Sequence, residues 1–126
     1  MLRLKPLPEG RLNVLFLGAH CDDIEIGCGG TIMRLCEEYN ELRVRWVVFT
    51  STPERATGPR NSADHYLQKA HEKNVTVLDY RDGFLPYDAI GVKNYFETLK
   101  DFHPDMIFTH FRHDLHQDHR LICELT

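Results

Sequence analysis

Between residues 19 and 30 the chain reads AHCDDIEIGCGG, which sets one imidazole, His20, and three carboxylates, Asp22, Asp23 and Glu25, within six residues. A second dense stretch, HFRHDLHQDH, places His110, His113, His116 and His119 three apart, with Asp114 and Asp118 between them. Imidazole nitrogen and carboxylate oxygen are donors that a catalytic zinc accepts, three from the protein with a fourth position left for water. A solvated helical stripe is the plainer account of histidines spaced by three. Against it, each cluster follows an apolar run, and two such clusters on one edge of a fold rarely arise from solvation alone. His65, His71 and His103 stand apart from both and are read as ordinary surface residues.

The segments that must position these clusters alternate between strand and helix. Asn13 to Ala19 (NVLFLGA) is a short continuous apolar run of the kind expected of a central parallel strand covered on both faces. From about Glu25 to Tyr39, Ile26, Met33 and Cys36, with Ile32 and Leu35 beside them, recur at helical spacing. Leu42 to Thr50 is a β-branched and aromatic strand that gives way to a loop holding Arg55 and Arg60. Ala63, Tyr66, Leu67 and Ala70 mark an amphipathic helix, Val75 to Leu78 a short strand, and Arg81 to Pro86 a loop. Val92, Tyr95, Phe96 and Leu99 form the next helical stripe, ended near Phe102 by Pro104, and Met106 to His110 reads as a fourth strand.

Strands separated by helices of this length predict βαβ units. The expected fold is α/β, a Rossmann-like three-layer sandwich with a mainly parallel sheet and helices on both faces. Ligands in such sheets bind beyond the carboxyl ends of the strands. His20 to Asp23, Arg55 with Arg60, and His113 to His119 therefore belong on one edge.

The chain as a whole narrows the function classes. At 126 residues with 42% apolar content it is expected to form one domain able to bury a core. Fifteen basic and 19 acidic residues, a formal net charge of −4, give no electrostatic footprint for nucleic acid. No window predicts a membrane span, and the opening MLRLKPLPEGR lacks the apolar centre of a signal peptide, so the cytoplasm is the expected compartment. Cys21, Cys28, Cys36 and Cys123 form no CxxC pair and are read as free thiols, mostly buried. Gly27, Gly29 and Gly30 are expected to let the start of the first helix approach strand and substrate closely.

AHCDDIEIGCGG resembles the AHPDDxExGxGG signature of the PIG-L/LmbE-like metal-dependent de-N-acetylases, and HQDH resembles that family's HPDH motif. RDGFLP at Arg81 to Pro86 stands where the family often shows a DG-containing loop. The resemblance runs from Asn13 onward and implies a zinc-dependent hydrolase, with Fe2+ also suited to the ligands, that removes acetyl from an N-acetylglucosamine-like sugar conjugate. Carried over position by position, it makes His20, Asp23 and His119 the metal ligands and Asp22 the general base. His116 becomes the electrophilic or general-acid partner and Asp118 the residue that orients or tunes His116. Cys21 and Gln117 stand where the family usually has proline, and neither is a ligand position.

Elementary chemistry supports these roles. Adjacent Asp22 and Asp23 raise one another's pKa in a water-poor pocket, and a dication beside them removes that repulsion. Zinc lowers the pKa of a bound water to about 7, which lets Asp22 take its proton. A protonated His116 would then meet the developing oxyanion. Arg55 and Arg60 are the candidates for contacting a substrate anion or hydroxyl.

Family members usually continue beyond the HRLICELT helix, so the resemblance predicts a domain cut short at its C-terminal end; a homo-oligomer is also compatible with it. Three other readings exist. A dinucleotide-binding module lacks GxGxxG at the first strand exit, where two carboxylates would repel a pyrophosphate. A non-haem iron oxygenase could use the same ligand set. The third is a catalytically idle binding domain.

Overall fold

A computed structural model of the chain describes residues 10–126. The opening segment weighed above as a signal peptide lies, up to Glu9, outside the described residues. The elements are β1 (Arg11–Gly18), α1 (Asp23–Glu38), β2 (Glu41–Thr50), α2 (Thr57–Tyr66), β3 (Glu72–Tyr80), a short 3-10 helix (Leu85–Asp88), α3 (Ala89–Thr98), β4 (Met106–Phe108) and α4 (Gln117–Leu125).

Because side chains alternate across a strand, the apolar run of β1 serves two cores at once. Leu12, Val14 and Phe16 pack with Ile24, Ile32 and Leu35 of α1 and Ala63 of α2, whereas Leu15 and Leu17 pack with Val92 of α3 and Ile122 of α4. The same alternation sends Val44, Trp46 and Val48 of β2 to the first core and Val47 and Phe49 to the second. All three strand pairings are parallel, in the order β3-β2-β1-β4. This is the expected α/β architecture with helices on both faces. The chain steps outward from β1 to β3 and then returns to place β4 on the other side of β1. Connections diverge above the carboxyl ends of β1 and β4, and an open parallel sheet has its ligand crevice there.

Several local expectations shift. Strand β3 is longer than Val75 to Leu78, and β4 stops at Phe108, leaving Thr109 and His110 outside the strand. Helix α2 begins at Thr57 and ends at Tyr66 instead of running to Ala70; Pro59 sits in its first turn, where its missing N–H leaves no bond unmade. In α1 the buried face is Ile24, Ile32, Leu35 and Cys36, whereas Ile26 is 79% exposed and Met33 54%. Ile26 lies two positions past Ile24, about 200° around the helix, so the two cannot share a face.

The close approach expected of three glycines belongs to Gly29 alone. A Cβ on Gly29 would sit 2.9 Å from the Tyr66 ring of α2, whereas at Gly27 and Gly30 it would meet nothing within 4 Å. All four cysteines are free thiols, with Cys36 buried and Cys21, Cys28 and Cys123 only half-buried. His65, His71 and His103 are exposed, as read. Among the described residues no helix is long and apolar enough to cross a membrane.

Candidate metal centre

The chain leaves β1 at Gly18, and the next turn folds back on itself: the backbone N–H of His20 donates to Asp23 Oδ2 at 2.6 Å. Asp23 also opens α1, where exposed N–H groups and the helix dipole favour a carboxylate. One short turn therefore fixes His20 and Asp23 together.

On the far side of the crevice, His116 is the N-cap of α4, and its Nδ1 accepts the backbone N–H of Asp118 at 3.2 Å. An accepting Nδ1 leaves Nε2 as the ring nitrogen able to donate. One turn into the helix His119 reaches back to the β1 exit. His20 Nδ1 and His119 Nε2 lie 3.0 Å apart, and each is 3.3 Å from Asp23 Oδ2.

This triangle supplies a test of fit. Zinc bonds of about 2.0–2.1 Å to N and O imply tetrahedral edges of about 3.3–3.4 Å. The three donor atoms already stand at nearly that spacing, and their N/N/O composition suits zinc or ferrous iron. His20 is pushed up to about 9, first by its hydrogen bond with Asp23 against the opposing effect of burial, with Asp118 and Asp82 adding to the rise. A proton is thus held where the site would hold a cation. Burial tends to raise the Asp23 carboxyl, but the ring and backbone of His20, with His110 and His119 nearby, outweigh it and keep the group below the ordinary carboxylate range.

Around the triangle lies a shell of orienting groups. Asp118 is fully buried, and its carboxylate accepts N–H bonds from Gly83 at 2.7 Å and Leu85 at 3.1 Å. Its Oδ2 stands 3.2 Å from His20 Nε2. The carboxylate thus bonds His20, where the sequence reading assigned it to the His116 ring; only the backbone of Asp118 bonds that ring. A carboxylate on the outer nitrogen of a metal-ligating histidine fixes the tautomer and raises ligand basicity. Gly83 can present its N–H because its φ of +79° is a left-handed conformation that favours glycine. Gln117 Nε2 also donates to Gly83 O at 3.0 Å, strapping the 81–86 loop to α4. Asp114 accepts the His116 N–H at 2.8 Å and lies 3.2 Å from His119 Nδ1.

A cavity of about 440 Å3 opens over this centre, within the range of small-molecule sites. Asp22 is exposed on its wall, at the N-cap position of α1 but with no capping bond to occupy its carboxylate. Arg55 lines the cavity, whereas Arg60 does not; its guanidinium donates to Val75 O of β3 at 3.3 Å. Of the four histidines spaced by three, His113 is exposed, with its ring edge against Phe111. The other three converge on the centre.

Sequence reasoning gave no role to His110, Asp82, Arg81 or Asp114. Burial, then the neighbouring His119, pushes His110 down to about 4, so its ring is neutral. Asp82 Oδ1 stands 3.2 Å from His20 Nε2, and the Arg81 guanidinium lies 3.7 Å over the Phe84 ring, both from the loop already noted for its DG pair. His110 and Asp114 belong to the HFRHDLHQDH run, and that clustering was the available signal.

The fold recurs in solved structures. A conserved protein of Thermus thermophilus superposes with a TM-score of 0.63 at 25% identity, covering 90% of this chain and 53% of that one. N,N'-diacetylchitobiose deacetylase from Pyrococcus horikoshii gives 0.64 at 28% identity, covering 90% of this chain and 47% of that one. The 4-carboxy-2-hydroxymuconate hydratase of Pseudomonas putida gives 0.64 at 15% identity with 90% and 53% coverage, a likeness of fold alone. The chain therefore spans about half the length of these proteins. One scaffold carries both a deacetylase and a hydratase, so activity has to be argued from the site. Comparison with curated proteins yields no match. The sequence pattern of the GlcNAc-PI de-N-acetylases matches residues 15–126, and the chain belongs to this PIG-L family.

Proposed function

We propose that the chain is the metal-binding domain of an N-deacetylase that hydrolyses the acetamido group of an N-acetylglucosamine-like sugar conjugate in the cytoplasm. The observation that carries this reading is the triangle of His20, Asp23 and His119, at metal-ligand spacing on the wall of a cavity that also holds the Asp22 carboxylate and the His116 imidazole. These three residues would hold Zn2+ or Fe2+. When bound, such an ion acidifies a water and polarises a carbonyl.

The remaining steps fall to the chain's own groups. Asp22, adjacent to a ligand yet free of bonds, accepts the proton as water adds to the amide carbonyl. The Nε2–H of His116 donates to the oxyanion that forms, an interaction whose removal typically costs about 10²–10³ in rate. The C–N bond then breaks, the amine leaves with the proton collected by Asp22, and acetate remains. Asp118 holds His20 in the tautomer that leaves Nδ1 free, and Arg55 faces the polar part of the sugar conjugate.

The experiment is elemental analysis of the purified chain beside His119→Ala, followed by acetate release from N-acetylated sugars with added Zn2+ or Fe2+. Near-stoichiometric metal in the parent, lost in the variant, together with acetate release, is the expected result. A folded parent that takes up no metal would defeat the reading.

A further inference from the structure

We infer that His110 and Thr50 act together as positioning residues, gripping Ala19 at both of its backbone polar groups and so aiming His20 at the metal position. The inference rests on the reading of His20 as a ligand. Ala19 is the first residue past β1 and is fully buried, so its N–H and C=O need partners from the protein. Pairing between β1 and β4 ends at Phe16 and Phe108, so no backbone group of β4 meets the Ala19 N–H. His110 Nε2 takes that N–H at 2.9 Å. The Ala19 carbonyl accepts two bonds from buried Thr50 at the end of β2, from its N–H at 2.9 Å and its Oγ1 at 2.8 Å. Thr50 at the end of β2 and His110, two residues past β4, thus hold the residue preceding His20 from opposite sides.

The same bond argues against one competing ligand set. Asp23, His110 and His119 also bring potential ligand atoms within 4.8 Å of one another, so by spacing alone His110 could compete with His20 for the ion. A neutral imidazole has one lone pair, however, and at His110 it points at the Ala19 N–H. His110 is therefore outside the ligand set while touching two of its members: its ring stacks on His119 with centroids 3.9 Å apart, and its Nε2 is 3.5 Å from Asp23 Oδ2. Outer partners of metal ligands typically carry about 10–100-fold in metal affinity.

The test uses Co2+ as a spectroscopic probe in the full chain, with affinity from chelator competition and geometry from the visible absorption bands. His110→Ala is expected to weaken Co2+ binding about 10–100-fold and to shift the bands. His110→Gln, whose Oε1 can stand where Nε2 stood and accept the Ala19 N–H, is expected to restore most of both, and Thr50→Val to lose less than His110→Ala because the Thr50 N–H remains. Wild-type affinity and spectrum in His110→Ala, or a glutamine variant no better than alanine, would overturn the inference. If His110→Ala fails to fold by circular dichroism, the glutamine variant decides alone: near-native Co2+ binding supports the role and lost binding overturns it. A wild-type chain that binds no Co2+ overturns the metal reading and this inference with it, whereas normal wild-type binding beside an unperturbed His110→Ala overturns the inference only.

Discussion

The two exits that meet at the site, after β1 and after β4, are built by different means. At the β1 exit, His20 and Asp23 come from one four-residue turn closed by the 2.6 Å bond from the His20 N–H to the Asp23 carboxylate and continued directly into α1. At the β4 exit, residues 109–116 lie in neither helix nor strand before α4 begins. Long-range bonds pin this exit: His110 bonds Ala19, 91 positions away, and in the first turn of α4 Asp118 bonds Gly83 and Leu85, 35 and 33 positions away. The local turn presents an adjacent pair of acids, one half-buried among donors and one open to the cavity. On the proposed roles, the second exit supplies the oxyanion donor, one ligand and groups that orient the rest. Damage at the first exit should therefore remove a function outright, and damage at the second should degrade it by degrees.

The largest expected effect separates the two acids of the first exit. Asp23→Ala should abolish metal binding and hydrolysis together, whereas Asp22→Asn should keep metal and lose about 10²–10⁴ in turnover. Elemental analysis of both variants checks this, and metal missing from Asp22→Asn would move that residue into the ligand set. At the second exit, His116→Ala should retain metal and lose about 10²–10³ in kcat; turnover near that of the parent would remove it from the mechanism.

Smaller still is Asp118→Asn, expected to weaken metal binding about 10–100-fold without eliminating it. Hydrogen exchange at Gly83 and Leu85 should speed up in the same variant, because their acceptor is shared with His20. Unchanged affinity with faster exchange would confine Asp118 to holding the loop. The smallest effect contrasts the two arginines of the β2–α2 segment. Arg55→Ala should raise KM with kcat nearly intact, and Arg60→Ala should change neither, since its guanidinium is spent on Val75 O. Steady-state kinetics on one N-acetylated sugar measures both.

Much of the architecture was legible in the residues. The apolar run of β1 read as a strand covered on both faces and the β-branched, aromatic run of β2 as a second strand, and parallel strands bring their carboxyl ends to one edge. That the AHCDD and HQDH clusters face one another followed from this alone. Inside α1 the reading was weaker: Ile26 and Met33 fit a helical period, yet they are exposed, because the sheet selects the face containing Ile24 and Ile32.

What only the tertiary structure decided was the direction of side chains outside helix and strand. Along a helix or strand, spacing fixes which residues share a face, so an even pattern carries information. Between Thr109 and His116 no such repeat operates, and the three-residue spacing of histidines there said nothing of orientation. His110 turns to Ala19 because an unpaired buried N–H must be satisfied, whereas His113, three residues on, is exposed. The same holds within the first turn of α4, where Asp118 turns to His20 and the Gly83 loop because a fully buried carboxylate requires several donors, and those lay 33 to 98 residues away in the chain. The sequence determined the edge of the sheet and the chemical types gathered there; long-range hydrogen bonding decided which atom of each faces the centre of the site.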